Sequence, residues 1–133
     1  KARLPWKLPA GDGEHTVYAK FKDKAGNLTE VVFDAISVDA TPPLEGNLII
    51  NEGDEVSRQI DGIIELSIKA SDADMMLISN NKAFKGSRWQ PYEELVTDWR
   101  ITGSNGKKRV YIKFRDEAGN VSTVHSDDII LVR

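Results

Sequence analysis

The sequence predicts an all-β chain, in which one complete antiparallel β-sandwich follows the C-terminal half of another. The first observation is internal: Val110-Tyr-Ile-Lys-Phe-Arg-Asp-Glu-Ala-Gly-Asn-Val-Ser122 repeats Val17-Tyr-Ala-Lys-Phe-Lys-Asp-Lys-Ala-Gly-Asn-Leu-Thr29 with conservative changes. Extended without a gap, the match pairs Trp6 with Trp99, Leu8 with Ile101, Gly13 with Gly106, Val31 with Val124, Asp34 with Asp127 and Ile36 with Ile129. Gly106 stands 93 positions after Gly13, the size of one small β-domain rather than one turn of a solenoid. The second observation is periodicity, since apolar residues alternate with polar ones in short runs and no run has a helical period. The third is punctuation, because Gly, Pro, Asn and Asp clusters separate those runs at a spacing of roughly 8–12 residues.

Residues 1–38 read as the second half of a repeat. Trp6 and Leu8 alternate as on a half-buried strand, and Gly11-Asp-Gly13 supplies positive-φ residues for a tight turn. Thr16 to Lys22 is the clearest strand, with Val17, Ala19 and Phe21 on one face and Tyr18, Lys20 and Lys22 on the other. Asp23-Lys-Ala-Gly-Asn27 closes a hairpin, because Gly26 and Asn27 tolerate left-handed φ while Asp23 accepts hydrogen bonds from the turn's amides. A last strand runs from Leu28 to Val38. The linker is residues 39–43, Asp39-Ala-Thr-Pro-Pro43, whose two prolines remove two donors and hold the backbone extended, so a stiff spacer is expected.

Residues 44–133 read as the complete domain. Asn47 to Asn51 is its first strand. After the break at Ile60-Asp61-Gly62, Ile64, Leu66, Ile68 and Ala70 alternate with Glu65, Ser67 and Lys69 as on a strand buried on one face. Ser71-Asp-Ala-Asp74 turns the chain into Met75–Ser79, which Asn80-Asn81 ends. Lys82 to Glu94 is irregular and carries Phe84, Trp89 and Tyr92; Trp99 and Ile101 then begin the repeated half, with Ser104-Asn-Gly106 in place of Gly-Asp-Gly. Seven short strands on this scheme indicate an immunoglobulin-like topology.

Composition narrows the partners. A net charge of -3 and a pI near 5.4 leave no basic footprint, so no nucleic-acid partner is expected. No apolar run is long enough to insert in a bilayer. The absence of cysteine excludes disulfides, thiolate metal sites and cysteine nucleophiles.

The pattern Asp-x-Thr-Pro-Pro, then Ile-Ser-Asn-Asn with Trp-Gln-Pro-Tyr, then Trp-x-Ile, Asn-Gly and the Val110–Ser122 segment is similar to the tandem bacterial immunoglobulin-like repeats of large surface and secreted proteins. The similarity covers nearly the whole chain, and Val110–Ser122 is its most specific part. It implies a multi-repeat extracellular protein at the bacterial cell surface, whose modules serve as stalks, spacers or adhesive units. Polysaccharide-degrading catalytic domains sometimes stand beside such modules, so a carbohydrate-binding module is the alternative role. One departure is the loop Asp72-Ala-Asp-Met, shorter and less glycine-rich than that family leads one to expect.

Turn chemistry by itself accounts for the Asp-x-Ala-Gly-Asn segments. The alternative is calcium. In an immunoglobulin-like sandwich the loop after the second strand, the last hairpin loop and the N-terminal linker share a pole, which would gather Asp39, Asp72, Asp74, Asp116 and Glu117, with the Asp12 turn facing them. Calcium takes six to eight oxygens, and such a junction offers carboxylates and carbonyls. No cofactor is otherwise expected. Trp89 and Tyr92, beside Arg88 and Gln90, have the composition of a sugar-stacking face, while the competing reading has both rings covering the edge of the core. Trp6 and Trp99, at equivalent places in apolar alternation, are expected in the core. Tyr18 and Tyr111 are expected to make a tyrosine-corner bond to backbone.

His15 and His125 are isolated at non-equivalent positions and are expected on the surface. With one histidine per unit and no acid pair beyond turn aspartates, no enzyme is expected. Left alone, residues 1–38 would expose Trp6, Leu8, Val17, Ala19 and Phe21 and an unpaired strand edge. The half-repeat is therefore expected to be completed by an adjacent repeat or by strands from another chain.

Overall fold

Alternation decides which side chains of the C-terminal part meet in its interior. The computed structural model describes residues 3–133, and the chain divides between Thr41 and Pro42 into two compact units. In the first, β1 (Gly13–Ala19) and β2 (Val32–Val38) form an antiparallel hairpin. In the second, the strands are β3 (Leu44–Ile50), β4 (Val56–Ser57), β5 (Ile63–Ser71), β6 (Met75–Ser79), β7 (Gln90–Pro91), β8 (Leu95–Arg100), β9 (Gly106–Arg115) and β10 (His125–Leu131). They make two sheets, in the orders β3-β5-β8 and β4-β10-β9-β6-β7, consistent with a β-sandwich. All pairings are antiparallel except β4 with β10, which is parallel.

Every second residue of each central strand points into the space between the sheets. Ile64, Leu66 and Ile68 of β5, with Leu48 and Ile50 of β3, meet Met76 and Ile78 of β6, Val110, Ile112 and Phe114 of β9, and Ile129 and Leu131 of β10. Full burial of side chains of this size stabilises by about 1.5–3 kcal/mol each, so this layer holds the unit together. Phe114 is the largest fully buried side chain. The first strand changes sheets through a 3-10 turn at Asn51–Gly53, where Asn51, Glu52 and Gly53 all have positive φ. Asn51 fastens that turn by accepting the Glu65 amide through Oδ1 at 2.8 Å.

The two hairpins share one register. Gly13 lies opposite Val38 and Ala19 opposite Val32, as Gly106 lies opposite Leu131 and Ile112 opposite His125. The turns match bond for bond. Asp23 Oδ1 accepts the Asn27 amide and Asp23 Oδ2 the Asn27 side-chain amide, both at 2.9 Å. Asp116 holds Asn120 the same way, at 2.9 and 3.0 Å. Thr29 Oγ1 accepts from the Phe21 amide as Ser122 Oγ does from Phe114.

Several expectations need correction, and the reasons are related. No strand forms at Trp6 and Leu8, and Trp6 is exposed. At the equivalent place β8 is a strand because β5 lies beside it, and among the described residues β1 and β2 have no such neighbour. The strand expected over Thr16–Lys22 is Gly13–Ala19, with only an isolated bridge from Lys22 to Leu28. In β9 the corresponding residues continue to Arg115 because β6 pairs with them from Tyr111 to Arg115. The strand expected over Leu28–Val38 begins at Val32, and that expected over Asn47–Asn51 is Leu44–Ile50. The second unit has eight strands rather than seven, and the two-residue β4 and β7 fall in stretches where no strand was expected.

Candidate functional site

The pole at which β3 begins and β9 ends is where the sequence places its acidic candidates. Asp72 sits in the β5–β6 turn at φ 56°. Asp116 opens the β9–β10 turn and is buried. These two carboxylates approach within 4.8 Å of one another. Asp74 does not join them; its amide donates to the Arg115 carbonyl at 2.8 Å and its carbonyl accepts from the Tyr92 amide at 3.0 Å, so its backbone closes the loop. Glu117 is exposed on the turn. Asp39 belongs to the first unit, where its Oδ1 accepts the Thr41 amide at 3.1 Å. In the same unit Asp12 accepts from the Ala40 amide and the Thr41 hydroxyl.

These hydrogen bonds set the electrostatics. Asp12 titrates below the ordinary aspartate range because the Thr41 hydroxyl and the Ala40 amide donate to it. Asp23 is lowered likewise by the Asn27 side chain and amide. The β9–β10 face carries an ion pair, Arg109 with Asp128 and Lys107 at 3.3 Å from the same carboxylate, which lowers Asp128 and raises Arg109, chiefly through the Arg109 hydrogen bond. Asp72 and Asp116 supply two of the carboxylates that a calcium shell of six to eight oxygens would draw on, and Asp116 also accepts twice from Asn120.

No protein-family model matches the chain, and no curated protein aligns significantly with it.

The aromatic candidates part company. Tyr92 packs edge-on against Phe114, with centroids 6.0 Å apart, and its hydroxyl accepts the Ala70 amide at 3.1 Å. This is a phenol bonded to backbone, the role expected of Tyr18 and Tyr111. Those two instead contact Phe33 and Phe84, at 6.0 and 6.4 Å between centroids. Trp89 is half-buried with the Arg115 guanidinium 4.6 Å from its ring centroid, a cation–π contact that covers one face. Trp99 is half-buried against the core and donates its indole N–H to Asn80 Oδ1 at 2.8 Å.

The histidines also separate. His15 bonds to the Gly11 carbonyl at 2.8 Å. Both are half-buried rather than solvated as expected, and the His125 ring lies 6.2 Å from that of Phe114 and close above Gly46. A side chain at Gly46 would begin 2.3 Å from His125 Nε2, so any larger residue there must displace the His125 ring. Sequence reasoning also missed Asp127, whose Oδ2 accepts the Ile50 amide at 2.9 Å and ties the first strand to the last. The available signal was an acidic residue in phase with the inward-facing Ile129 and Leu131. Among the described residues no helix is long and apolar enough to cross a membrane.

Proposed function

We propose that this chain is a non-enzymatic structural or adhesive module, a stalk or spacer built of immunoglobulin-like repeats in an exported bacterial protein. The observation that carries the reading is the direction of the second unit's first and last strands. Gly46 lies under His125, Ile50 bonds Asp127, Glu55 accepts from Ile130 and Ser57 accepts from Val132. The path from β3 into β4 therefore runs parallel to β10, so the chain enters at one pole and leaves at the other. Units of that kind string head to tail. Tension on the chain loads the contacts of β3 and β4 with β10 in shear, where they must break together rather than one after another. The recurrence of one hairpin register at Gly13–Val38 and Gly106–Leu131 supports a repeated module.

Single-molecule pulling tests this. Attached at its two ends, the full chain should show the second unit rupturing in one step. The force should be well above that measured with attachment at Pro42 and Glu117, which lie toward one pole and allow stepwise unzipping. Equal forces in the two geometries would remove the mechanical argument. The carbohydrate reading has less support, since Tyr92 uses its ring and hydroxyl inside the unit and leaves Trp89 alone. Polysaccharide binding abolished by Trp89→Ala in a folded chain would reinstate it.

A further inference from the structure

Several equivalent positions in the two hairpins have the same residue types and opposite environments. Phe114 is 0% exposed and Phe21 61%; Ile129 is 1% exposed and Ile36 55%. The difference is largest on the inward face, although Tyr18 on the other face is also more exposed than Tyr111. Val124 and Val31, on neither inward face, are similarly exposed at 49% and 55%. The inward face of β1 and β2 thus carries the apolar pattern of a sandwich interior, while Tyr18 to Lys22 presents an edge where β9 is paired by β6. The hydrogen-bonding groups correspond as well. Asp34 stands where Asp127 accepts the Ile50 amide, and Trp6 stands where Trp99 donates to Asn80.

We propose that the inward face of the β1–β2 hairpin is a docking site for a half-repeat contiguous with it, a segment with the strand pattern of residues 42–93. The reading rests on the repeat-module function above and names the partner that function requires. The second unit shows what covers such a face: strands β3, β5 and β6, which supply Leu48 and Ile50, Ile64, Leu66 and Ile68, and Met76 and Ile78. It also shows how they are delivered, since the covering segment runs directly through β8 into Trp99 and β9. A tethered segment docks at high effective concentration, which a separate molecule must match by binding affinity. Asp34 provides an acceptor for the incoming first strand, and the edge from Tyr18 to Lys22 provides the main-chain ladder for the incoming strand like β6.

The test is a fusion that places a second copy of residues 42–93 directly ahead of Lys1, in the register in which Glu94 follows Glu93. Hydrogen exchange with mass spectrometry, together with light scattering, compares it with the 133-residue chain at several concentrations. In a monomeric fusion, exchange across residues 17–22 and 33–37 should slow at least tenfold, and Trp6 should become protected from aqueous quencher. Val17→Asp in the fusion should abolish that protection, with the melting of residues 42–133 unchanged as an internal control. Unchanged exchange in a fusion whose residues 42–133 are folded overturns the proposal. So does concentration-dependent protection of the same amides in the 133-residue chain, which would make a second copy the occupant. Neither result depends on the pulling geometry, so the two readings can fail separately.

Discussion

Phe114 and Phe21 are the same residue at the same point of the same hairpin, so truncating each measures what the environment contributes. Phe114 is completely buried, with Tyr92 and His125 against its ring. Phe114→Ala removes that burial and leaves a cavity that the sandwich cannot fully collapse, a change that costs about 3–5 kcal/mol. At roughly 0.05–0.15 kcal/mol per residue, a unit of this size has about 5–14 kcal/mol in all. The substitution should therefore consume a large share of its stability. In urea, with a slope of about 1–3 kcal/mol per molar, the midpoint should fall by more than about 1 M. Phe21→Ala starts from a side chain already 61% exposed and should leave that transition within about 0.5 kcal/mol, the range of ordinary surface changes. Urea unfolding followed by tryptophan fluorescence and circular dichroism reads both. Equal shifts, or a Phe114→Ala cost below about 1 kcal/mol, would refute the contrast between the two hairpins.

Gly46→Ala places a methyl group against the His125 ring and should cost about 1–3 kcal/mol by overpacking, largely restored in the double variant with His125→Ala; no restoration would show the cost lies in the backbone. Asp128 has a folded pKa held below its unfolded value of about 3.9 by the Arg109 hydrogen bond and Lys107, so its small stabilisation is present above about pH 4 and lost as pH falls through the lowered value. The difference in melting temperature between wild type and Asp128→Asn should be constant near neutrality, shrink below about pH 4 and weaken with salt; a difference that grows on acidification would contradict this. Melting in calcium and in chelator tests the acidic pole at Asp72 and Asp116, and identical midpoints would end the calcium reading. A rise with calcium would be the mass-action signature of a bound ion, about 2.7 kcal/mol at a hundredfold excess over its dissociation constant. Asp116→Ala removes a buried carboxylate that accepts twice from Asn120 and should cost about 1–3 kcal/mol, whereas Asp23→Ala in the exposed turn should leave the main transition in place.

Alternation and turn chemistry determined the β class, the inward set on β5 and β9, and the shared hairpin, because these depend on residues close in sequence. The Asp23 and Asp116 turns need only their own five residues, and they close with the same bonds in both units. Tertiary structure decided what depends on a neighbour. Whether the stretch at Trp6 is a strand, and whether β1 runs on past Ala19, turned on the presence of strands like β5 and β6 alongside. Tyr92 carries a phenol like Tyr18 and Tyr111, but only Tyr92 lies beside Phe114 with the Ala70 amide at its hydroxyl. Likewise Gly46 had no turn to explain it until His125, remote in the chain, was found over it. A strand's pattern records which face it means to bury, whereas burial itself requires a second sheet, and that is a property of the assembled sandwich.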